Sequence, residues 1–222
     1  MKYLSYVLTV INSFFFNIKC FDIKTAMKFP IIISNRVETK GIRKGCIEIA
    51  GSIRPMMIRL GMSNGAYNRG KNKKSYLAFA TNSKIIFKGS AHCANDFAIN
   101  MCEDGTLILG DNFASNYGLI ISCSSQIEFE DDVLLGWDCT FIDGDGHDIY
   151  DSTMTKVNNN CPIYIGKHVW MSAKVTCLKG VRISGDVVVG YGSLLTRNYE
   201  ESNCIITGIP AKMIKKDISW KH

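Results

Sequence analysis

The sequence has nine cysteines but no C-x-x-C pair, which argues against a zinc ribbon and against a thioredoxin-type motif. Its longest apolar stretch lies near the N-terminus and is about 14 residues long, short of the roughly 20 that a membrane-spanning helix needs. No recognised nucleic-acid-binding motif accompanies its net charge of +6. We therefore expect neither a membrane-spanning chain nor a nucleic-acid partner.

The charge is divided unevenly along the 222 residues, a length that suits one domain with at most a small appendage. Residues 1–88 hold 16 Lys and Arg against 3 Asp and Glu, whereas residues 89–222 hold 10 against 17. A basic N-terminal third is typical of proteins that meet an anionic membrane surface or a phosphate-bearing substrate.

A repeat of six residues runs without a break from Ile165 to Tyr199. Its second place is small in five of six blocks, and its first place is held by Ile165, Met171, Cys177, Ile183, Val189 and Leu195. A period of six fits neither a helix, with 3.6 residues per turn, nor an ordinary two-faced strand. It predicts an all-β parallel β-helix, a coil of short flat faces whose first places point into a narrow core.

Two cysteines fall on core positions of this repeat. Cys177 opens a block, and Cys139 falls at a fifth place in an earlier one. Such positions suit a reduced cysteine that packs as a small apolar side chain. The pattern therefore favours a cytoplasmic protein without structural disulfides.

Residues 1–28 are predicted to form an N-terminal amphipathic helical segment ahead of a β-helix domain at residues 29–222. The apolar face holds Leu4, Val7, Leu8, Ile11, Phe14, Phe15 and Ile18, and the opposite face holds Ser5, Thr9, Asn12 and Ser13. Two hypotheses remain open. The helix packs on its own domain or on a neighbouring subunit, or it lies on the inner membrane face with Lys19, Lys24 and Lys28 at the headgroups.

A signal peptide is the rival hypothesis for this segment. Lys2 would be its charged start, and Cys20 would imitate a lipoprotein attachment site. The residues just before Cys20 lack the small-residue cleavage pattern, so we do not favour it.

The rest of the chain shows weaker repeats around one interruption. Residues 29–87 alternate like strands and are expected to form imperfect early turns, with an exposed basic loop at residues 63–74. Blocks of six resume at Leu109, slip by two residues before Phe129, and stop altogether between residues 142 and 162. A long aperiodic segment inside a compact repeat is usually functional. Residues 200–222 form a predicted cap in which Pro210 begins a short C-terminal helix.

The interruption opens with chemically reactive side chains. Asp143, Asp145, His147 and Asp148 lie within six residues that also contain two glycines. Histidine takes up a proton near neutral pH, and a carboxylate on its second nitrogen fixes the tautomer. A calcium loop does not fit, because Met154 stands where the closing glutamate belongs. A thiolate nucleophile at Cys139 or Cys161 is also not favoured, since a reactive thiol needs nearby cations or a helix end.

The segments VWMSAKV, VVVGYGSLLTR and TGIPAKMIKK resemble those of the hexapeptide-repeat acyltransferases. Within that superfamily the chain looks most like the bacterial O-acetyltransferases of capsule, lipopolysaccharide and exopolysaccharide synthesis. The resemblance covers roughly residues 105–216. It implies a left-handed parallel β-helix, acetyl-CoA as cosubstrate without a metal, and a homotrimer whose sites lie in clefts between neighbouring coils.

The resemblance also implies roles for residues near the interruption. A loop histidine is the general base of the family, and His147 matches it, with Asp145 and Asp148 as catalytic partners. Asp138 stands where relatives commonly have the asparagine of GPNV, which helps to hold the acceptor. The change from amide to acid puts that role in doubt. Predicted acceptor contacts are Trp137, Asp138 and Asp143.

Other matched positions are expected to bind coenzyme A. The predicted set is Trp170, Ser172, Ala173, Gly190, Tyr191, Thr196, Arg197, Lys212 and Lys215. Thr196 and Arg197 match a TK pair that borders the nucleotide end of the cofactor, and the two lysines are candidates for phosphate contacts. A backbone N–H near Ser172 is the predicted oxyanion donor.

The predicted function is transfer of acetyl from acetyl-CoA to a sugar hydroxyl in surface-polysaccharide synthesis, by direct attack with a histidine base. The acceptor is a sugar or glycan, including a lipid-linked one, and the enzyme is cytoplasmic or peripheral on the inner membrane face through residues 1–28. The alternatives are N-acetyl transfer to an amino sugar and a non-enzymatic β-helical assembly protein. A zinc carbonic anhydrase of related fold does not fit, because no two of the four histidines are five residues apart. A sugar nucleotidyltransferase does not fit either, since no glycine-rich nucleotide-binding segment precedes the repeats.

Overall fold

The structure is a computed structural model that describes residues 2–63 and 73–221, apart from the side chains of Lys2 and Tyr3. Most of the basic loop predicted at residues 63–74 therefore lies outside the described residues. In this part of the chain two helices, α1 (Lys2–Cys20) and α2 (Ile23–Ala26), come first and are followed by 22 strands.

The strands are short, and most of them have two to four residues. In chain order they are β1 (Ile31–Ile33), β2 (Val37–Lys40), β3 (Ile47–Ile49), β4 (Ile58–Leu60), β5 (Ser75–Phe79), β6 (Lys84–Phe87), β7 (Ala91–Cys93), β8 (Ala98–Met101), β9 (Thr106–Leu109), β10 (Phe113–Ser115), β11 (Ile120–Cys123), β12 (Gln126–Phe129), β13 (Leu134–Leu135), β14 (Thr140–Ile142), β15 (Ile163–Ile165), β16 (Trp170–Met171), β17 (Thr176–Leu178), β18 (Arg182–Ile183), β19 (Val187–Val189), β20 (Leu194–Leu195), β21 (Cys204–Gly208) and β22 (Ala211–Lys215).

Within the described residues, three sheets form the walls of a coil, and their strand pairs are parallel except for β21–β22. Sheet A runs β1-β4-β7-β10-β13-β16-β19-β21-β22, sheet B runs β2-β5-β8-β11-β14-β17-β20, and sheet C runs β18-β15-β12-β9-β6-β3. Neighbours along a sheet are mostly three strands apart in the chain, so each turn adds one strand to every sheet. The predicted left-handed parallel β-helix is confirmed.

The first places of the repeat stack on one another inside the coil. Phe129, Ile165 and Ile183 pair in register on sheet C, and each is fully buried. The rings of Phe113 and Phe141 pack on Phe129 with centroids 5.1 and 4.8 Å away. Cys139 and Cys177 are also fully buried, as expected for small apolar side chains.

The coil turns at three edges, which we name after the sheets they join: the A–B, B–C and C–A edges. Many edge turns contain one residue in the left-handed region, such as Asp138 (φ 58°), Asp132 (φ 60°) and Asp104 (φ 57°). Aspartate and asparagine tolerate this conformation better than most residues other than glycine, which explains how often they occur there.

Helix α1 packs on the coil with the side that carries its polar stripe and the buried Phe16 and Cys20, and not with the predicted apolar face. Asn17 donates to the carbonyl of Ile31 (2.7 Å) and accepts from its N–H (3.2 Å), while Ser13 bonds the N–H and carbonyl of Ile33 at 2.9 and 3.1 Å. Residues four apart on a helix are about 6 Å apart, close to the spacing of two residues on a strand. The polar stripe thus matches the free edge of β1, and the apolar face points outward. None of the described helices is long and apolar enough to cross a membrane.

The predicted C-terminal helix is wrong. The segment after Asn203 forms β21 and β22, which pair antiparallel, and Pro210 lies in the tight turn between them. The last turn of a β-helix leaves an open edge of backbone N–H and C=O groups. Pairing with β22 satisfies part of that edge, which a helix starting at Pro210 would not do.

Candidate active site

The predicted site residues lie on two different edges of the coil. Residues 136–139, 172–175 and 190–193 turn from sheet A to sheet B, so Trp137, Asp138, Ser172, Ala173, Gly190 and Tyr191 belong to the A–B edge. Residues 143–162 and 196–199 turn from sheet B to sheet C, so Asp143, Asp145, His147, Asp148, Thr196 and Arg197 belong to the B–C edge. A strand of sheet B separates the two edges, and a strand of three residues is about 10 Å long.

Asp143 fixes the base of the loop at residues 143–162. Its side chain is fully buried, and its carboxylate accepts from the N–H groups of Ser124 (2.6 Å) and Ser125 (2.8 Å). Burial raises the pKa of the Asp143 carboxyl, although both donors favour its charged form. This position does not fit the predicted contact with an acceptor. Asp143 instead ties the start of the loop to the preceding turn of the coil.

Asn158 and Lys179 hold the middle of the loop. Asn158 donates to the Asp145 carboxylate (2.8 Å) and to the carbonyl of His147 (2.7 Å), and accepts from the N–H of Ile149 (2.7 Å). Lys179 lies on the next turn of the coil and donates to Asp145 at 2.5 Å. The Lys179 ammonium, with help from Asn158, holds the pKa of the Asp145 carboxyl below its usual value.

The imidazole of His147 is exposed at the surface of this loop. Among residues 2–63 and 73–221, no group lies within hydrogen-bonding distance of either ring nitrogen. Asp148 instead pairs with Lys156 at 2.5 Å, and that ammonium lowers the pKa of the Asp148 carboxyl. The predicted pairing of His147 with Asp145 or Asp148 is therefore not formed. The loop fixes the backbone of His147 and leaves its ring open to a substrate.

On the A–B edge, Trp137 forms an aromatic platform with Tyr117. The rings stack with their planes 8° apart and centroids 6.1 Å apart. Asp138 lies beside them and packs on Gly118. A Cβ atom at position 118 would lie 2.2 Å from a carboxylate oxygen of Asp138. Next in the chain is Cys139, which donates to the Ser172 carbonyl at 3.2 Å. Burial raises the pKa of the Cys139 thiol to about 12, so this cysteine does not supply a thiolate at neutral pH.

The backbone of the A–B edge offers donors one turn apart. The N–H of Ser172 donates to the Val189 carbonyl at 2.9 Å, so it is not free to serve as the predicted oxyanion donor. The N–H groups of Ala173 and Tyr191 form no hydrogen bond within the described parts of the chain. Gly190 is required by packing, because a Cβ there would lie 2.3 Å from the Thr207 hydroxyl oxygen.

The remaining predicted contacts lie around these edges. Lys212 pairs with Thr207 on the C-terminal hairpin, one strand beyond the Thr207 side chain that packs on Gly190, and Lys215 lies further along β22. Trp170 is on the outer face of sheet A, 6.0 Å from the ring of Trp220. Thr196 and Arg197 are exposed on the B–C edge, two turns beyond the loop. No group of three His, Cys, Asp or Glu side chains that could hold a metal ion occurs in the described residues.

Two residues that position the loop are missed by sequence reasoning. Asn158 stands in a run of three asparagines, and Lys179 follows Leu178, the one block whose second place is large. The large side chain of Leu178, at a place that is otherwise small, is the signal that could have drawn attention to Lys179. Nothing in the sequence distinguishes Asn158 from its neighbours.

No family model matches the chain. It is 30% identical over 145 residues to WbbJ of Escherichia coli K12, assigned as a lipopolysaccharide biosynthesis O-acetyl transferase, spanning 51% of this chain and 74% of that protein. It is 28% identical to the galactoside O-acetyltransferase of the same strain, over 49% of this chain and 53% of that protein. The solved structure of the polySia-specific acetyltransferase NeuO matches with a TM-score of 0.61 at 21% identity, over 84% of this chain and 76% of that chain.

The NeuO likeness shows a shared fold, and the two relatives named as acetyltransferases are 30 and 28% identical to this chain over about half of its length. Together with the repeat and the interrupting loop, these findings establish that the chain belongs to the hexapeptide-repeat O-acetyltransferases.

Proposed function

We propose that this enzyme transfers an acetyl group from acetyl-CoA to a hydroxyl group of a sugar in a surface polysaccharide. The observation that carries the proposal is the imidazole of His147, which is solvent-exposed on a loop whose backbone Asn158 and Lys179 hold in place. The names of WbbJ and the galactoside O-acetyltransferase support the choice of a sugar acceptor.

In the proposed step, a nitrogen of His147 removes the hydroxyl proton as the sugar oxygen attacks the thioester carbonyl carbon. The C–S bond breaks, the acetyl ester forms, and the imidazolium returns its proton to the departing thiolate to give CoA. The unpaired N–H groups of Ala173 and Tyr191 are the candidates for backbone contacts along the cofactor. The Trp137–Tyr117 platform suits a sugar ring, and Lys212 suits a phosphate.

A single chain does not bring these groups together, because they lie on two edges of the coil. A ring of three chains would place the B–C edge of one against the A–B edge of the next, a head-to-tail contact that closes on itself. The loop carries four exposed apolar side chains that suit such a contact: Ile149, Tyr150, Met154 and Val157. The proposal therefore includes a homotrimer with composite sites. It also places the enzyme in the cytoplasm, peripheral to the inner membrane through residues 1–28.

The test is acetyl transfer from radiolabelled acetyl-CoA to a panel of free sugars, amino sugars and lipid-linked sugars. His147→Ala is expected to lose about a hundredfold or more in kcat, because general base catalysis contributes that much, while acetyl-CoA still binds. Mild alkali releases an O-acetyl ester but not an N-acetyl amide, so the product separates the two transferase hypotheses. Full activity of His147→Ala would refute the assigned base, and no transfer with any acceptor class would favour the assembly hypothesis.

Co-expression tests the composite site. His147→Ala and Asp138→Ala chains are each expected to be impaired alone. Mixed rings would regain about a quarter of the sites, because half of the chains on each side of a cleft carry the intact residue. Absence of any recovery in mixed rings that light scattering shows to be trimers would contradict the shared site.

A further inference from the structure

The outward face of helix α1 is an exposed apolar surface at the N-terminal end of the coil. It comprises Leu4, Val7, Leu8, Ile11, Phe14, Phe15 and Ile18, each between 41 and 64% exposed. Of the 23 large hydrophobic side chains that are exposed in the described residues, 11 lie between residues 4 and 27. Exposed apolar side chains concentrated in this way mark an interaction surface.

This exposure follows from how the helix is attached. The polar stripe of Thr9, Ser13 and Asn17 is 5% exposed or less, and it bonds the backbone of β1 and its following turn. Rotating the helix to bury the apolar face would leave those β1 groups without partners. Each unpaired buried N–H or C=O is strongly unfavourable, so the helix is held with its apolar side outward.

Helix α1 lies along the free edge of β1, the first strand of sheet A. Its opposite face therefore points away from the coil, roughly along the coil axis. Chains arranged with parallel axes would present their helices on one common side. This geometry suits a flat partner better than a groove or a peptide.

The charge around this end identifies the partner. Residues 1–46 contain eight Lys and Arg and two Asp and Glu, a net charge of +6, and residues 47–222 are balanced at 18 of each. Lys19 at the end of α1, and Lys24 and Lys28 shortly after it in the chain, are exposed. A second copy docked end to end would bring two such positive ends together, which like charges disfavour.

We infer that the outward face of α1 inserts into the headgroup region of an anionic phospholipid bilayer, with Lys19, Lys24 and Lys28 at the lipid phosphates. An apolar helical face bordered by lysines binds membranes in this way, through buried apolar area and attraction to acidic lipids. The inference deepens the membrane contact that the proposed function includes, and it does not depend on acetyl transfer. It names the face, the lipid class and the orientation of the coil on the bilayer.

Vesicle flotation of the full chain tests the inference. We expect binding to vesicles of phosphatidylcholine with phosphatidylserine, much weaker binding to phosphatidylcholine alone, and a decline as salt rises. Ile11→Ser with Phe15→Ser is expected to lower the partition coefficient by at least about tenfold, because both side chains leave the bilayer. The matched control is Ile209→Ser with Ile214→Ser, which removes two exposed apolar side chains at the opposite end of the coil.

Three outcomes would overturn the inference. The first is that the protein floats with neither kind of vesicle. The second is that both variant pairs lose vesicle binding equally. The third is a fall in oligomer mass, measured by light scattering, in the Ile11→Ser, Phe15→Ser variant. The last outcome would assign the face to a contact between copies. A vesicle-binding protein that acetylates no sugar would leave this inference standing while the proposed function fails, so the two failures are distinguishable.

Discussion

Asn158 offers a sharp test of how the loop positions the proposed base. Its side chain is 8% exposed and bonds the carbonyl of His147 and the N–H of Ile149, each at 2.7 Å. Asn158→Ala removes both bonds, along with the donation to the Asp145 carboxylate, and the two bonds to the backbone contribute about 1 to 3 kcal/mol of net free energy. The coil does not depend on them, so we expect local loosening of the loop with little change in Tm.

The expected kinetic effect follows from that free energy. If the loop loses about 1 to 3 kcal/mol of ordering, the fraction of molecules with His147 in place can fall by up to roughly a hundredfold, and kcat falls with it. A displacement of about 1 Å alone can lower the rate a hundredfold. The KM for acetyl-CoA should stay unchanged, because Asn158 bonds none of the proposed donor contacts at Ala173, Tyr191 and Lys212.

The assay is steady-state acetyl transfer to the acceptor that gives the highest rate in the panel. Thr153→Ala is the matched control, since Thr153 lies in the same loop but bonds only Asp151 and Thr155 at its tip. Wild-type kcat in Asn158→Ala would refute the positioning role. A raised KM for acetyl-CoA with unchanged kcat would refute it as well, because it would place Asn158 in the donor site.

Two further predictions concern helix α1 and the loop. Asn17→Ala leaves the N–H and carbonyl of the buried Ile31 without partners, so urea denaturation should show that the free energy of unfolding falls by about 2 to 5 kcal/mol. Asn12→Ala removes one bond to a turn carbonyl and should lower the free energy of unfolding by less. Equal losses would contradict the matched spacing of helix and strand. Lys179 lowers the pKa of Asp145, so this ion pair stabilises the loop above the usual carboxyl pKa of about 4 and is lost as pH falls through the lower folded value. Limited proteolysis should therefore cut residues 143–162 faster in Lys179→Met than in the native chain at neutral pH and at similar rates in strong acid, and equal rates at all pH values would contradict the role of the pair.

The coil was predictable because burial repeats locally. Each block of six buries the side chains at its first and fifth places, so Ile165, Met171 and Cys177 carry the same signal in turn. The interruption at residues 142–162 was predictable for the same reason, since a missing repeat is visible in the sequence. The roles of its charged side chains were not. Asp145 and Asp148 are drawn to Lys179 and Lys156, which are 34 and 8 residues away in the chain.

The orientation of α1 was likewise invisible to the sequence pattern. A helix with one polar and one apolar side is expected to put the apolar side on the protein. Here the neighbour is the free edge of β1, whose backbone groups need donors and acceptors, so Ser13 and Asn17 face inward. The C-terminal hairpin has the same cause at the opposite end of the coil. Both ends of a parallel β-helix leave unpaired backbone, and what satisfies it depends on the assembled fold.

The regular stacking of turns has a consequence for the acceptor. Four steps separate β1 from β13 along sheet A, and at about 4.8 Å per step they span roughly 19 Å. With a helix about 10 Å thick beneath β1, the turn that carries Trp137 and Asp138 would stand some 25 to 30 Å above the lipid headgroups. A glycan attached to that bilayer would reach this height only through several sugars. Lipid-linked chains should therefore be acetylated on residues far from the lipid, and the first sugar next to it should escape modification.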